Sequence, residues 1–432
     1  MSIAENDAPP LGLLYVAAAA RQSGLVVSVI DMNHPPMDAA RLAAIVEQRR
    51  PRIVAFSVLT PSSGKVKDLV AMLKGRFPRT DVIAGGVHAS ALPSDLINAG
   101  VDFVVVGEGE TTFVEVAEAL LSNGDVAGVA GLAYPEHGSG SVSTAFGKRL
   151  SMCITARRDP HTDLDALPRP ARDLVPILEY GQSGALCSSR GCPYSCSFCS
   201  SVLSGGHKYR LRTVDCVMDE IADMHAQFGI SHFQFLDDNF AAVPDRAESL
   251  VASLRKRGYV WSCQTSVMEL VDRTNLLSRM YEAGCREVYF GLESGSRRIL
   301  NQYKSIDLDR AMAVLTHAAS FGKGNGIAGE DALQTVVGFM VGHPEDDEDS
   351  IEETIQFALT LRPLGIDTMI SIMQPYPGSL IHQDPGRYGL NIEKTDYAEY
   401  LYPKANMATR KLSRKHISRL YAKGLLRIMQ TY

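Results

Sequence analysis

The residues that decide the fold are Ala185-Leu-Cys-Ser-Ser-Arg-Gly-Cys192-Pro-Tyr-Ser-Cys196-Ser-Phe-Cys199, a short apolar run followed by a loop with three clustered thiols. Thiolates at this spacing can hold one metal ion or one iron–sulfur cubane from a single loop. Three ligands leave one iron of a cubane open, and an open position suits catalysis better than structure. The loop therefore predicts a catalytic iron–sulfur cluster bound by Cys192, Cys196 and Cys199.

Two other interpretations of this loop stay open at this point. Cys187 would add a fourth thiol, and four thiolates also suit zinc. Three incidental cysteines are the second alternative, although a reactive surface cluster without a metal is a liability. No basic segment precedes an apolar core at the N-terminus, so no signal peptide is predicted. We therefore expect a cytoplasmic protein whose eight cysteines are reduced thiols or metal ligands.

On both sides of the cysteine loop, short apolar runs alternate with amphipathic segments. Strands are predicted at 185–188, 232–236, 260–265, 287–291, 334–341 and 367–373, and helices near 214–227, 245–257, 272–283, 307–320 and 350–361. Six strands alternating with helices predict a partial (β/α)6 barrel of the triosephosphate-isomerase type over residues 181–390. In such barrels the functional groups gather at the C-terminal ends of the strands.

A second α/β pattern precedes the barrel. Helices are predicted near 11–22, 39–48, 65–77 and 112–121, and strands at 26–31, 53–57, 81–84 and 103–106. Short apolar strands separated by amphipathic helices predict an α/β, doubly wound (Rossmann-like) domain over residues 1–125. Residues 126–180, rich in Gly, Pro and polar side chains, are predicted to be a linker, and residues 391–432 a C-terminal helical extension.

Composition and charge exclude several classes of function. A chain of 432 residues is comfortable for two domains. A formal net charge of -6 argues against non-specific nucleic-acid binding, which requires a basic surface. No apolar run approaches the length of a membrane-spanning helix, so no membrane span is expected.

The C-x3-C-x2-C loop, with an aromatic residue before its last cysteine, resembles the signature of the radical SAM superfamily. The resemblance implies that Cys192, Cys196 and Cys199 bind a [4Fe–4S] cluster. It also implies that S-adenosylmethionine (SAM) chelates the open iron and is cleaved to a 5′-deoxyadenosyl radical. Phe198 would then lie beside the adenine. The resemblance further implies an external electron donor such as flavodoxin or ferredoxin.

Motifs at the ends of the later predicted strands agree with this family in their order. Phe235-Leu-Asp-Asp-Asn-Phe240 ends the second strand, and its carboxylates would bind the SAM ammonium, with a helix N-cap as an equal alternative. Gly291-Leu-Glu-Ser-Gly295 resembles the ribose-contacting segment, and Gly338 opens a motif in which glycine lets the backbone approach adenine. The SAM contacts implied are Phe198, Asp237, Asp238, Gln264, Glu293, Ser294 and Gly338.

The N-terminal domain resembles the cobalamin-binding domain of class B methylase-like radical SAM enzymes. The residues that would contact cobalamin are Ser57, Leu59, Gly85, Gly86, Gly107 and Glu108. Two features depart from the family. Asn33 holds the position of the cobalt-ligating histidine, with His34 one residue out of register and Pro36 in place of glycine. The strand that normally precedes the first helix has no counterpart in the sequence, which would leave buried backbone groups unpaired.

Taken together, these features predict cobalamin-dependent methylation of an unactivated carbon in a small natural-product-type substrate. Radical cyclisation, ring rearrangement or oxidation without methyl transfer is the alternative within the class. A non-catalytic cobalamin-binding or redox-sensing iron–sulfur protein is the alternative from another class. A methylthiotransferase is not favoured, because that family carries additional cluster cysteines in the front domain, and here no cysteine precedes Cys153.

Overall fold

The computed structural model of the chain describes residues 7–136, 142–144, 147–149, 151–201, 203, 206, 208–303, 306–327, 329–394, 396–401 and 403–430. Two sheets built mainly of parallel strands and flanked by helices follow one another along these residues. The predicted α/β class, with a Rossmann-like N-terminal domain ahead of a partial barrel, is confirmed. None of the helices in the described ranges is both long and apolar enough to cross a membrane.

The N-terminal sheet, called the front sheet below, orders its strands β1-β2-β3-β4-β7. The strands of this domain are β1 (Ile53–Ser57), β2 (Asp81–Gly85), β3 (Phe103–Val105), β4 (Leu132–Pro135), β5 (Val142–Thr144), β6 (Gly147–Arg149) and β7 (Met152–Ile154). Its helices are α1 (Leu11–Gln22), α2 (Ala39–Arg49), α3 (Ser63–Arg76), α4 (Val87–Ala91), α5 (Pro93–Ile97) and α6 (Glu110–Leu121). β1, β2 and β3 are parallel, so their C-terminal ends lie at one edge.

Part of the predicted linker over 126–180 belongs to the front sheet. β4 pairs antiparallel with β3, and β7 pairs antiparallel with β4. The backbone of β3 would otherwise present an open edge, and these two strands cover it. The remaining segment, 155–180, runs towards the barrel with little regular structure.

The strand predicted at 26–31 is absent, and that prediction was wrong. The segment joins no ladder, and Val26 is fully exposed. Val27 and Val29 pack against side chains of α1 instead, so the alternating apolar pattern serves helix packing. Within the described residues β1 is an edge strand paired only with β2, in agreement with the missing neighbour that the sequence suggested.

The second sheet, called the barrel sheet below, contains six parallel strands in the order β15-β14-β13-β12-β11-β8. The strands of this part are β8 (Ala185–Leu186), β9 (Ser189–Arg190), β10 (Arg210–Leu211), β11 (His232–Phe235), β12 (Val260–Ser266), β13 (Cys285–Glu293), β14 (Gln334–Val341), β15 (Asp367–Ile372), β16 (Asn391–Ile392) and β17 (Met407–Ala408). The helices are α7 (Val214–Phe228), α8 (Pro244–Arg255), α9 (Thr274–Glu282), α10 (Arg297–Tyr303), α11 (Leu308–Ala319), α12 (Glu348–Leu361), α13 (Leu380–Gln383) and α14 (Arg414–Met429). All six predicted barrel strands are thus confirmed.

One continuous apolar core lies between the barrel sheet and its outer helices. Trp261, Phe290 and Phe339 are fully buried in it. Leu14 of α1 belongs to the same core, so the front domain is anchored directly on the barrel. Polar caps set the helix starts: Thr213, for example, accepts the Cys216 N–H at the start of α7.

The basic C-terminal helix α14 packs on the acidic start of α12. Arg427 pairs with Glu352, and His416 lies 3.0 Å from Glu348. Lys411, just before the helix, pairs with Asp347. These pairs account for the basic composition of the extension without a binding partner.

Candidate functional site

The cysteine loop spans residues 191–209, between β9 and β10. These two short strands pair antiparallel, with Arg190 opposite Arg210, and they close the loop at its base. The loop leaves the barrel sheet at the C-terminal end of β8, where the active residues of such barrels gather. A bond of 3.0 Å from the Cys199 N–H to the Cys196 carbonyl turns the chain between the last two predicted ligands.

The donor set of this loop fits an iron–sulfur cluster. Cys192, Cys196 and Cys199 are partly exposed and form no disulfide. The Ser201 N–H lies 3.4 Å from Cys199 Sγ and its hydroxyl 3.1 Å away, and hydrogen bonds to cluster sulfurs tune the reduction potential. Among the described residues, no three His, Cys, Asp or Glu side chains are arranged to hold a single ion.

Cys187 stands apart from the three loop cysteines, which argues against a four-cysteine zinc site. Its side chain packs against Ala8, Leu11 and Ala185. Desolvation, followed by the charge of Asp237, raises the pKa of Cys187 to about 12. Zinc requires a thiolate, and this environment disfavours one.

A cavity of about 320 Å³ lies beside the last cysteine of the loop. Its wall combines residues from three sources, namely the cysteine loop, the ends of β14 and β15, and the front domain. The lining residues are Val87, Phe198, Cys199, Ser200, Ser201, Met340, Ile372, Met373, Gln374 and Tyr376. Phe198, expected near adenine, is therefore on the cavity wall, and Val87 brings the front domain to the same cavity.

The two aspartates after β11 have different environments. Asp237 is almost completely buried and accepts from the Ser188 N–H (3.2 Å), the Ser188 hydroxyl (2.8 Å) and the Ser189 hydroxyl. These three donors show that Asp237 braces the end of β8. Its contact with the SAM ammonium stays a prediction. Asp238 is exposed, and desolvation at the strand end, followed by the Asp237 charge, raises its pKa. Gln264 is also exposed, and its Nε2 donates to the Asp237 carbonyl at 3.1 Å.

The end of β13 has an unusual backbone at Glu293. Its φ of 76° lies in the left-handed region, and the pairing of β13 with β14 shifts register between Gly291 and Glu293. Such strain in a non-glycine residue costs roughly 1–3 kcal/mol and is concentrated at functional sites. Ser294, by contrast, is buried, and its hydroxyl lies 3.0 Å from that of Thr354 in α12. This hydrogen bond ties the end of β13 to α12, and the SAM contact of Ser294 stays a prediction.

Gly338 lies in the middle of β14, opposite Gly291 in the ladder. A Cβ at this position would come within 1.8 Å of the Tyr289 hydroxyl. The missing side chain thus makes room for Tyr289, and the approach of Gly338 to adenine stays a prediction.

A network of hydrogen bonds, which the sequence did not indicate, ties the cysteine loop to the barrel. The Tyr194 hydroxyl, between the first two cysteines, donates to Glu269 Oε1 at 2.6 Å. Asn239 Nδ2 donates to the same oxygen at 2.9 Å, and its Oδ1 accepts from the Thr265 hydroxyl and the Ser266 N–H. Glu269 is buried just after β12, so it ties the loop to the ends of two barrel strands.

The predicted cobalamin contacts gather at the C-terminal edge of β1, β2 and β3. Ser57 pairs with Gly85 at the strand ends, and Leu59 just beyond is 52% exposed. Gly86 has a φ of 98°, and a Cβ there would meet the Val58 backbone at 3.0 Å. Gly107 has a φ of 90°, and a Cβ there would meet nothing within 4 Å. The edge therefore exposes backbone and small side chains, a surface that fits a large flat cofactor.

Glu108 differs from its neighbours, because its carboxylate faces the barrel. It accepts two bonds from Arg210, at 2.8 and 3.1 Å, one from Arg190 at 3.2 Å, and one from the His161 N–H at 2.8 Å. Burial alone would raise the pKa of Glu108, but the Arg210 hydrogen bond and the Arg190 charge hold it below its usual value. The Glu108 carboxylate is therefore bonded towards the barrel, and a contact of this residue with cobalamin stays a prediction.

His34 also lies away from the edge. Its ring stacks on Tyr180 at 4.4 Å, and its Nε2 is 3.7 Å from Glu179. This position beside the linker agrees with the sequence-based interpretation that His34 does not replace the missing cobalt ligand at position 33.

Comparison with known proteins agrees with this geometry. The B12 binding domain model matches residues 2–117, and the radical SAM superfamily model matches residues 186–358. An uncharacterized methyltransferase of Pyrococcus horikoshii is 30% identical over 383 residues, which cover 86% of this chain and 77% of that protein. The chain belongs to the radical SAM proteins that carry a B12-binding domain. The predicted membership in an enzyme family is thereby confirmed.

Two further proteins are similar along much of the chain. Cytidylyl-2-hydroxyethylphosphonate methyltransferase of Streptomyces wedmorensis is 27% identical over 360 residues, covering 72% of this chain and 67% of that protein. The structure of the radical SAM methyltransferase TsrM from Kitasatospora setae, with cobalamin and a [4Fe–4S] cluster bound, matches with a TM-score of 0.72. The match covers 98% of this chain and 88% of TsrM at 18% identity, which shows a shared fold.

Sequence reasoning about this radical SAM protein missed four residues around the cysteine loop: Tyr194, Glu269, Arg190 and Arg210. The two arginines had a local signal, because they flank the loop directly at its two ends. Glu269 had none, since only the fold brings the residues after β12 back to the loop.

Proposed function

We propose that this protein cleaves SAM reductively and uses cobalamin to methylate an unactivated carbon of a small-molecule substrate. One observation carries the proposal: the cavity beside Cys199 is shared by the cysteine loop and by Val87 of the front domain. Val87 directly follows Gly86 at the predicted cobalamin edge. Cofactors held by the two domains would therefore face one another across one cavity.

In this proposal the residues of this chain bind the cofactors and exclude water from the reacting groups. When bound, the cluster and SAM supply a carbon-centred radical, and cobalamin supplies a transferable methyl group. Cys192, Cys196 and Cys199 hold the cluster as thiolates. Glu293 and Gln264, at the ends of neighbouring strands, offer polar groups to SAM. The apolar cavity wall excludes water from the reacting groups.

The partly exposed cysteine loop suits reduction by an external donor such as flavodoxin or ferredoxin. A cytoplasmic location belongs to the proposal as well, because reduced thiols are maintained there.

Two alternatives share these observations in part. Cyclisation, ring rearrangement or oxidation would use the same cluster and cavity without transferring a methyl group. A non-catalytic sensor would keep the cluster but release no 5′-deoxyadenosine from SAM. The strained Glu293 backbone at the C-terminal end of β13 favours a reaction site over a sensor.

The experiment is anaerobic reconstitution with iron, sulfide and hydroxocobalamin, followed by addition of SAM and a reductant. We expect about four irons per chain, since the cluster is a [4Fe–4S] type. We also expect bound cobalt and formation of 5′-deoxyadenosine. Iron and 5′-deoxyadenosine without cobalt would retain the radical enzyme and refute the cobalamin proposal. A full cluster with no 5′-deoxyadenosine would refute both in favour of a sensor.

A further inference from the structure

The front domain holds both ends of the cysteine loop through one carboxylate. Arg190 enters the loop two positions before Cys192, and Arg210 follows its last residue. The two arginines are direct cross-strand partners in the β9–β10 ladder. Glu108 of the front domain lies within hydrogen-bond distance of both. The loop is thus closed at its base by a residue of the other domain.

The geometry of this contact is that of a strong ion pair. Arg210 binds Glu108 with two nitrogens, and bidentate pairs of this kind are geometrically specific. Arg190 binds Glu110 at 2.6 Å in addition, and its guanidinium lies 4.8 Å from the Tyr15 ring centroid. The side chains of Glu108 and Arg210 are each only 7% exposed.

Charge explains why the carboxylate is needed. Like charges opposite one another in an antiparallel ladder are destabilising, and Arg190 and Arg210 occupy such a pair of positions. Glu108 sits between them and offsets the repulsion. Without it, Arg190 would keep Glu110 as its partner, but the buried Arg210 guanidinium would lose its carboxylate, and leaving a buried charge unpaired is costly.

Glu108 also adjoins the predicted cobalamin edge of the front domain, which lies at the C-terminal ends of β1, β2 and β3. It directly follows Gly107, whose open backbone belongs to the predicted cobalamin edge. The Gly107 N–H donates to the Ser90 hydroxyl at 2.9 Å, which fixes the turn after β3. One short turn therefore contributes backbone to the predicted cobalamin edge and a carboxylate to the base of the cysteine loop.

We propose that Glu108 is a positioning residue for the cysteine loop, by which the front domain sets the geometry of the cluster ligands. The inference rests on the proposed function only in taking the loop to be the cluster site. Glu108 is not one of the predicted cluster or SAM contacts, and its carboxylate acts through Arg190 and Arg210.

The test is hydrogen exchange of the cluster-free protein, compared between wild type and Glu108→Gln. Peptides from residues 191–209 should exchange about tenfold to a hundredfold faster in the variant, because a buried ion pair loses one partner. Peptides from α11 (Leu308–Ala319) should not change. After reconstitution, the electron paramagnetic resonance signal of the reduced cluster should be altered in Glu108→Gln, and Glu108→Asp should restore it in part.

Asp173→Asn is the matched control, because it removes a carboxylate that joins α1 to the linker through Arg21 on the exposed surface. It should leave loop exchange and the cluster signal unchanged. Arg210→Lys keeps the charge and loses the bidentate geometry, so it serves if Glu108→Gln does not fold, and it should also speed exchange of the loop. Loop exchange at the wild-type rate in a folded Glu108→Gln or Arg210→Lys protein would overturn the inference. Faster loop exchange in a protein that never cleaves SAM would leave the inference standing and refute the proposed function alone.

Discussion

The barrel sheet buries its side chains in one continuous core, whereas the front sheet divides its buried side chains among three smaller clusters. The front domain is also tied to the barrel, through Leu14 of α1 in the barrel core and through the Glu108 ion pairs. A small cluster buries less apolar area than a continuous core and so contributes less stability. The difference indicates that the front domain depends more on its contacts with the barrel than the barrel depends on the front domain.

The largest expected effect is loss of the cluster from the barrel without loss of cobalamin binding by the front domain. Cys192→Ala, Cys196→Ala or Cys199→Ala should abolish cluster binding and SAM cleavage, because each removes one of three predicted iron ligands. Cobalamin binding by the front domain should persist, since none of the three lies there. Iron per chain, 5′-deoxyadenosine and the visible spectrum of added hydroxocobalamin measure these outcomes after anaerobic reconstitution.

Cys153→Ala is the control for this series, because Cys153 lies in β7 of the front sheet. It should keep a full cluster and normal SAM cleavage. A loop variant that retained about four irons and activity would contradict the ligand assignment.

The second effect compares the same substitution in both sheets. Phe290→Ala in the barrel should cost about 3–5 kcal/mol, because its ring is fully buried in the continuous core. Phe56→Ala in β1 should cost only about 1–2 kcal/mol, because that ring is partly exposed on an edge strand. Native-state hydrogen exchange reports each sheet separately, which a single unfolding transition of a two-domain chain does not. Equal losses in the two sheets would remove the contrast between them.

The same contrast explains what the sequence could predict. The barrel strands are short apolar runs buried against helices, and their periodicity is a local property that identified all six. The apolar alternation at 26–31 was equally clear, but it packs on α1 and forms no strand. Local pattern does not distinguish a side chain that faces a helix from one in a sheet when the neighbouring strand is missing.

The candidate site was predictable to a similar degree. The three cysteines and Phe198 follow from one contiguous motif, and the structure places Phe198 and Cys199 on the cavity wall. The sequence did not predict the hydrogen bonds of Asp237 and Ser294 to buried neighbours, because a polar residue at a strand end looks the same in sequence whether it faces a ligand or a buried neighbour. The role of Glu108 depends on arginines that are distant in the chain, so no local signal predicts it.

The third effect concerns SAM binding on the barrel side. Glu293→Gln should weaken SAM binding about tenfold to a hundredfold while sparing the cluster, because a hydrogen bond to a charged group contributes about 1.5–3 kcal/mol. Equilibrium dialysis of radiolabelled SAM against the reconstituted protein measures the dissociation constant, and iron analysis verifies the cluster.

Glu287→Gln provides the matched control, since Glu287 lies at the start of the same strand, away from the cysteine loop. SAM affinity should stay at the wild-type value in this variant. If both variants weakened SAM equally, the effect would come from the charge of the barrel interior, and Glu293 would lose its assigned role.

The smallest expected effect tests whether ion pairs at the start of α12 stabilise the barrel. Asp347 caps α12 by accepting the Ser350 N–H at 3.0 Å, and it pairs with Arg298 and Lys411. Partial desolvation would raise the pKa of Asp347, but the Lys411 hydrogen bond, the Ser350 N–H and the Arg298 charge outweigh it and lower the pKa to about 2. A lowered pKa stabilises the folded state above the unfolded value of 3.8, and this stability is lost as the pH falls towards 2.

Asp347→Ala should therefore cost about 1 kcal/mol at neutral pH, whereas Asp347→Asn, which can still cap the helix, should cost about 0.5 kcal/mol or less. Both differences from wild type should shrink in urea titrations between pH 4 and pH 2, and a cost independent of pH for Asp347→Asn would show that the ion pairs contribute nothing to the barrel.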